Sequence, residues 1–328
     1  MSPKALVTGA NGFVGSHLVE ALLKRGYEVF CLVRKTSNLN FLSGLKIEIR
    51  YGDVTDIDSL KEALKGVDFV FHLAGLTRAK NKDEYFKANA LGTRNLVQSC
   101  LEVNPHINKF VYVSSQAAVG PCKDFYPLNE NAKCEPITDY GRSKLQGEKE
   151  VLSFKDKLPV TIIRPPAVYG PRDKDILFFF QTVNKGIIPL FGFKESYISL
   201  IFVKDLAQGI ILAAENKNSS GQIYFIADKK VYSWSEAGKI IQKSLGVRVF
   251  KLRIPKSFLF TFASFSEMVS HLKGESALVN LQKANELSQR FWLCDISKAK
   301  NELGFSPEYD LEKGALETIK WYKENKWL

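Results

Sequence analysis

The stretch Tyr140-Gly141-Arg142-Ser143-Lys144 spaces a phenol and an amine at i and i+4. On a helix these side chains share one face and stand next to each other. A free phenol titrates near pH ~10 and is a poor base at neutrality. A neighbouring ammonium favours the phenolate, which suits the pair to carrying the proton that accompanies a hydride. Many such pairs are purely structural, so the meaning of this one depends on what else the chain supplies. Ser115 lies upstream in the pair Ser114-Ser115, at the end of an apolar run.

A second constellation is Thr8-Gly9-Ala10-Asn11-Gly12-Phe13-Val14-Gly15, which follows an apolar strand and opens an amphipathic stretch. Gly9 allows a tight turn, Gly12 lets the backbone approach a pyrophosphate, and Gly15 permits close packing of helix on strand. The helix N-terminus then offers free N–H groups to phosphate oxygens. A plain structural turn would also use glycine, but the strand–loop–helix setting favours a bound dinucleotide. NAD-specific sites place an acid at the end of the second strand, on the ribose hydroxyls. Here that position holds Val33, and Arg34 follows. A guanidinium grips a 2′-phosphate where an acid would repel it. NADP(H) is therefore the expected cofactor, with NAD(H) the alternative and ordinary surface cations the plain reading of Arg34 and Lys35.

The elements that must position these groups alternate. Strands are expected over residues 5–8, 28–33, 47–51, 69–73, 110–114 and 160–164. Helices are expected over 13–25, 59–64, 83–101 and 140–152. Such alternation builds a Rossmann-type α/β fold, a doubly wound parallel sheet with helices on both faces. After residue 170 the rhythm loosens. Helices are expected over 176–184, 205–215, 295–303 and 311–325, with extended segments over 198–203 and 222–226. Ser233-Trp234-Ser235-Glu236 has the spacing of a capping box. The expected organisation is a dinucleotide-binding domain over 1–170, with a returning segment near 198–230. Residues 171–328 would form most of a smaller, interleaved substrate-binding lid.

Composition narrows the class. The 328 residues are 45% hydrophobic and 25% charged, which excludes disorder, collagen-like repeats and a disulfide scaffold. The excess of 46 Lys and Arg over 35 Asp and Glu leaves a formal charge of +11. The cations are scattered, so they read as a solvated surface that attracts a phosphorylated cofactor rather than nucleic acid. Cys31, Cys100, Cys122, Cys134 and Cys294 are far apart and form no CxxC pair. Neither a metal site nor a redox motif is expected, and reduced thiols suit a cytoplasmic protein. The opening residues lack the apolar stretch of a signal peptide, and no run is long and apolar enough to span a membrane.

Further segments join the set. Asn89 lies in Asn89-Ala90-Leu91-Gly92-Thr93-Arg94-Asn95, and Phe71-His72-Leu73-Ala74-Gly75 ends the fourth strand. Gly52-Asp53-Val54-Thr55-Asp56 follows the third strand, and Arg164-Pro165-Pro166-Ala167-Val168-Tyr169-Gly170-Pro171-Arg172-Asp173 follows the sixth. In this order and spacing the chain closely resembles, over essentially its whole length, the extended short-chain dehydrogenase/reductase family. That family is also called the NAD-dependent epimerase/dehydratase family. The resemblance implies that Ser115 hydrogen-bonds the substrate oxygen and that Tyr140 is the acid/base. It implies that Lys144 tunes Tyr140 and holds the nicotinamide ribose, and that Asn89 organises its helix and a relay water. Asp53 and Val54 would meet the adenine. Leu73, Ala74 and Gly75 would pass the phosphate and ribose, and Pro165, Ala167 and Val168 would border the nicotinamide. A homodimer through the helices at 83–101 and 140–152 is also implied.

The reaction narrows by departures from the family pattern. Dehydratases resemble one another in an Asp-Glu pair after the catalytic Ser/Thr, whereas Ser115 is followed by Gln116-Ala117. Many sugar-nucleotide enzymes of the family carry an Arg-Asp pair that grips a diphosphate, and Ile198-Ser199 stands in its place. The expected activity is hydride transfer between a nicotinamide and a carbonyl/hydroxyl small molecule, as in dihydroflavonol reductase and 3β-hydroxysteroid dehydrogenase types. The runner-up is a sugar-nucleotide epimerase with tightly held NAD. A non-catalytic NADP(H)-binding regulator would have no need to keep Ser115, Tyr140 and Lys144 together. Thr77, Arg78, Gln116 and Tyr169 are the expected substrate-side residues. Phe258, Phe260, Phe262 and Phe265, with the run 178–180, read first as core, then as pocket lining. A membrane-surface helix over 254–272 is a further alternative.

Overall fold

Apolar strands and amphipathic helices alternate through the first half as their patterning predicts. The computed structural model describes residues 2–273 and 280–328. The strands are β1 (Lys4–Thr8), β2 (Glu28–Val33), β3 (Glu48–Tyr51), β4 (Phe69–His72), β5 (Lys109–Val113) and β6 (Val160–Arg164). Between them run α1 (Phe13–Lys24), α2 (Ile57–Ala63), α3 (Lys82–Phe86), α4 (Gly92–Val103) and α5 (Asp139–Leu152). The second half adds β7 (Ala167–Tyr169), α6 (Leu177–Asn184), β8 (Ile187–Phe191), β9 (Tyr197–Phe202), α7 (Val203–Glu215) and β10 (Ile223–Phe225). It continues with β11 (Val231–Ser233), α8 (Trp234–Leu245), β12 (Phe250–Ile254), α9 (Lys256–Lys273) and α10 (Leu281–Ser288). It closes with β13 (Phe291–Trp292), α11 (Ser297–Leu303) and α12 (Leu311–Glu324).

Seven parallel strands form one sheet in the order β10-β6-β5-β4-β1-β2-β3. The order reverses between β1 and β4, so the loops leaving their C-terminal ends diverge and open a crevice. Both faces of the sheet are covered. On one, Leu18 and Leu22 of α1 pack with Leu206 and Ile210 of α7 and with Ala299 and Leu303 of α11. On the other lie Leu60 of α2, Leu96 and Val97 of α4, and Val151 of α5. Near-continuous apolar strands are what burial on both faces demands. The return of α7, β10 and α11 to this sheet interleaves the two halves of the chain.

A third core gathers Tyr169, Phe180, Ile188, Phe202, Ile241, Ile319 and Tyr322 around a small sheet in which β7, β11 and β13 each pair with β9. The short strands β7, β8, β11, β12 and β13 and the helix α10 are absent from the sequence expectation. β7, β11 and β13 span only two or three residues, Pro189 interrupts β8, and β12 and α10 bury few side chains, so none shows an apolar period.

Two expectations need correction. The single helix over 83–101 is broken: α3 and α4 are joined by a π-helical turn at Lys87–Leu91, which holds Asn89. The phenylalanine-rich segment is not core throughout. Leu259 is buried, but Phe258, Phe262 and Phe265 of α9 are exposed, as is Phe178. Of the 254–272 reading, side chains 271 and 272 lie outside the described residues.

Candidate active site and cofactor cradle

The loop after β1 is shaped by contacts that only glycine allows. Gly9 has φ +67, and a Cβ there would stand 2.8 Å from the Ala74 nitrogen. A Cβ on Gly15 would fall 2.1 Å from the Gly9 carbonyl oxygen. The α1 N-terminus therefore seats directly on the loop, with Phe13 and Val14 in its first turn. Gly12 is its cap, no side chain caps it and its first turn carries no acid. Uncapped N–H groups free of a competing carboxylate form the cradle a pyrophosphate needs. Asn11 pins the loop to the next crossover through Nδ2, which donates to the Asn38 carbonyl. A dinucleotide fits this edge of the sheet.

The β4 loop is held in register by a buried chain of hydrogen bonds. Thr8 Oγ1 accepts from the Leu73 and Ala74 nitrogens at 3.2 and 3.1 Å. Its own hydrogen therefore goes to His72 Nδ1, 2.7 Å away. His72 Nε2 then donates to Thr93 Oγ1, which donates to the Asn89 carbonyl at 2.7 Å. Burial holds the His72 imidazole neutral, pushing it down to about 3. Asn89 closes the same loop from the π turn. Its Oδ1 accepts from the Leu76 nitrogen, and its Nδ2 donates to the Leu76 carbonyl and to Ser143 Oγ. Asn89 thus ties the β4 loop to α5, and its side chain has no N–H left for a relay water. Gly75 lies beside it: a Cβ there would come 2.8 Å from Asn89 Oδ1.

Ser115 ends the run after β5 and caps the short turn Gln116–Ala118, accepting from the Ala117 nitrogen at 3.1 Å. Thr138 caps α5, which puts Tyr140 and Lys144 in its first turns. Gly141 sets the distance between the two elements: a Cβ there would lie 2.3 Å from the Ala117 carbonyl oxygen. The Ser115 hydroxyl faces that of Tyr140 and favours the phenolate. Ser114 does not compete for this place, because its Oγ donates to Glu148 Oε1 at 2.6 Å. Arg164 completes that buried group, donating through Nε and Nη2 to the two Glu148 oxygens at 2.9 and 2.6 Å.

The electrostatics differ from the expected ammonium–phenolate contact. Burial raises Tyr140 above the ordinary phenol range, against the pull of Ser115. Lys144 Nζ donates instead to the Val113 carbonyl at 2.7 Å and lies over the Tyr112 ring. Burial pushes Lys144 down to about 7, with Glu148 working against it. The amine is therefore brought near neutrality and engaged by the Val113 carbonyl.

The remaining expected residues divide. Arg34 is exposed at the end of β2, beside buried Val33. Asp53 closes its turn through Oδ1, which accepts from the nitrogen and hydroxyl of Thr55, and Arg34 and Lys87 both act on its carboxylate. Val54 packs where Gly92 leaves space. Pro165 is buried and its carbonyl accepts from the Gln116 nitrogen, while Ala167 and Val168 stay half-buried in β7. Gln116 is buried with Nε2 unpartnered. Thr77 is exposed, and Arg78 pairs with Asp175. Tyr169 is a correction: it is buried in the third core, its hydroxyl donates to the Asp310 carbonyl, and Gly314 packs on it. It does not face a substrate. Sequence reasoning missed Glu148, although it sits one turn beyond Lys144 on the same face. It also missed α10, whose Gln282 exchanges hydrogen bonds with Asp139 from 143 positions away.

Residues 5–227 match the NAD dependent epimerase/dehydratase family. The chain belongs to that family. It is an enzyme of the oxidoreductase type within it. Sterol demethylase protein B of Methylococcus capsulatus is 39% identical over 249 residues, 70% of this chain and 73% of that protein. Ceramide reductase of Caulobacter vibrioides is 27% identical over 323 residues, 98% of this chain and 95% of that protein. The crystal structure of gox2253 superposes with a TM-score of 0.83 at 29% identity, covering 100% of both chains. In this chain the glycine loop leaves β1 and Ser115 leaves β5 at the same, C-terminal edge of the parallel sheet.

Proposed function

We propose an NADP(H)-preferring dehydrogenase/reductase acting on a carbonyl/hydroxyl pair of an apolar or modestly polar small molecule. The observation that carries this reading is the joint presence of the Ser115–Tyr140 hydroxyl pair, buried Lys144 on the same helix, and the uncapped N-terminus of α1. When bound, the nicotinamide supplies or accepts the hydride. The chain's own residues do the rest. The Gly9–Gly15 loop and α1 hold the pyrophosphate, Arg34 the 2′-phosphate, and Asp53 and Val54 the adenine. Leu73, Ala74 and Gly75 line the phosphate and ribose, and Pro165, Ala167 and Val168 border the nicotinamide. Ser115 donates a hydrogen bond to the substrate oxygen. In reduction Tyr140 gives its hydroxyl proton to that oxygen as the carbonyl π pair moves onto it, and Lys144 supports the resulting phenolate. Asn89 and His72 position the loops.

The substrate class rests on what the site lacks. Ile198 and Ser199 are buried inside β9, and Ser199 Oγ accepts from the Cys294 nitrogen, so neither offers a charge to a diphosphate. No acid follows Ser115 to eliminate water. The names of the sterol and ceramide relatives favour a lipid-like alcohol or ketone. Gln116, with its unpartnered buried amide, is the polar group we place against such a substrate, with Thr77 and Arg78 at the mouth. A homodimer would use the exposed faces of α4 and α5, with exposed Leu91 of the π turn at their edge. Five free cysteines suit the reducing cytoplasm.

The test is to denature fresh protein and weigh the released nucleotide by mass spectrometry, then to assay Tyr140→Phe on ketones and alcohols. Near-stoichiometric NAD would favour an epimerase that recycles its cofactor. Exchangeable NADP(H), with turnover abolished in Tyr140→Phe and cofactor affinity kept, supports the proposal.

A further inference from the structure

The helix α9 has two unlike faces. Leu259 and Ala263 are buried against Ala284 and Leu287 of α10 and against Phe191. Phe258, Phe262 and Phe265 lie at i, i+4 and i+7, one stripe of a helix. They are 64%, 52% and 61% exposed, and Met268 continues the stripe at 55%. Three exposed phenylalanines in line are an unpartnered apolar ridge rather than scattered surface residues.

The chain leading into this ridge is basic. Arg248, Lys251, Arg253 and Lys256 run from the turn after α8 through β12 to the first residue of α9, and all four are exposed. Arg253 pairs with Glu195, whereas Arg248, Lys251 and Lys256 make no ion pair among the described residues. Glu267 is the one acid of α9. Charge selects the occupant. A second copy docked ridge to ridge would set these cations against their own equivalents, which costs affinity. An anionic surface would neutralise them while covering the phenylalanines.

We propose that α9 docks in the plane of an anionic phospholipid bilayer, its Phe258–Phe262–Phe265 ridge in the headgroup–acyl boundary and the flanking cations on the headgroups. Apolar area and electrostatic attraction act together in such interfacial helices. No helix among the described residues is long and apolar enough to cross the membrane, so the contact is peripheral. The far side of α9 packs on α10, and α10 grips the start of α5 through Gln282–Asp139 and Glu286–Thr138. The docking face is thus one helix away from the segment that carries Tyr140. Where this rests on the lipid-like substrate proposed above, docking lets such a molecule reach the site without crossing water.

The experiment needs no substrate, so its failure is distinct from failure of that reading. The full chain is sedimented with vesicles of phosphatidylcholine, alone or with about a third phosphatidylglycerol. The expected result is at least about tenfold stronger partition to the anionic vesicles, weakening as salt rises. Phe258→Ser/Phe262→Ser/Phe265→Ser should lose at least about tenfold of that binding while keeping its thermal midpoint and cofactor affinity. Lys251→Glu/Lys256→Glu should lose the anionic preference, and it decides the matter if the triple variant folds poorly. Absence of vesicle binding by the unaltered chain, or equal binding by a well-folded triple variant, overturns the proposal. So does a triple variant that turns a dimer into a monomer, which would mean that the ridge joins two copies.

Discussion

Replacing Arg34 by alanine tests the proposed cofactor preference with no substrate at hand. Arg34 follows Val33, the last residue of β2, whose side chain is buried and whose carbonyl accepts from the Gly52 nitrogen. The guanidinium is exposed and makes no ion pair among the described residues, so gripping a 2′-phosphate would break no ion pair. A hydrogen bond to a charged group contributes about 1.5–3 kcal/mol, and solvent exposure places this one near the lower end. About 1.5 kcal/mol corresponds to roughly tenfold in affinity. NADH lacks the phosphate and should weaken by less than about twofold. Titration by nucleotide fluorescence or calorimetry at fixed salt should give an NADPH dissociation constant raised about tenfold and an NADH constant nearly unmoved. Equal weakening of the two, or no change in either, refutes the assignment. Tighter binding of NADH than NADPH by the unaltered protein would refute the premise that Val33 and Arg34 select the phosphorylated form.

Gly141→Ala places a Cβ 2.3 Å from the Ala117 carbonyl oxygen, so α5 must retreat by about 1 Å to restore ordinary contact. A shift of that size should lower kcat by about a hundredfold with cofactor affinity kept, and a kcat within threefold of the original would show that this contact does not set the Ser115–Tyr140 distance. Glu148→Gln leaves buried Arg164 without its charge partner, which should cost about 3–5 kcal/mol in denaturant unfolding, and a loss below about 1 kcal/mol would refute the role of the pair. Stability should fall with acid: His17 and His72 are held down at about 4 and about 3, so between pH 6.5 and 4 the unfolded chain takes up two protons that the native state does not. Asp173, pushed up to about 7 by burial, opposes this, because the native state holds its proton in that window and the unfolded state does not. These three groups net one proton, a fall of at most about 1.4 kcal/mol per pH unit, which the raised carboxyls of Glu130, Asp205 and Asp228 reduce. Replacing His72 by Asn should flatten the dependence read from denaturant midpoints at pH 6.5, 5.5 and 4.5, and an unchanged slope would contradict its role.

Much of this protein was legible in its residues because the signals are local. The alternation of strands and helices through β6 needs only the period of apolar side chains. The glycines at 9, 12 and 15 and the Tyr140–Lys144 spacing each lie within a few residues, so one turn of backbone fixes their meaning. The order of the motifs then pointed to the family, and the departures at Ile198, Ser199 and Gln116 narrowed the chemistry. β8 and β12 are as long as β1, but Pro189 breaks the run of β8 and the side chains of β12 are mostly exposed, so neither shows an apolar strand pattern.

Tertiary structure decided what depends on distance along the chain. Tyr169 reads as part of a functional motif, yet α12 brings Gly314 and the Asp310 carbonyl onto it and makes it core. Ser114 and Ser115 are alike in sequence, and only the Glu148–Arg164 pair shows which hydroxyl is already engaged. The amine of Lys144 was expected to act on Tyr140 by proximity, whereas burial by the whole fold brings that amine near neutrality and raises the phenol. The phenylalanines of α9 read as core in the sequence because composition reports hydrophobicity and not direction. Whether an apolar side chain faces in or out depends on which partner helix the fold supplies, and here α10 covers just one side.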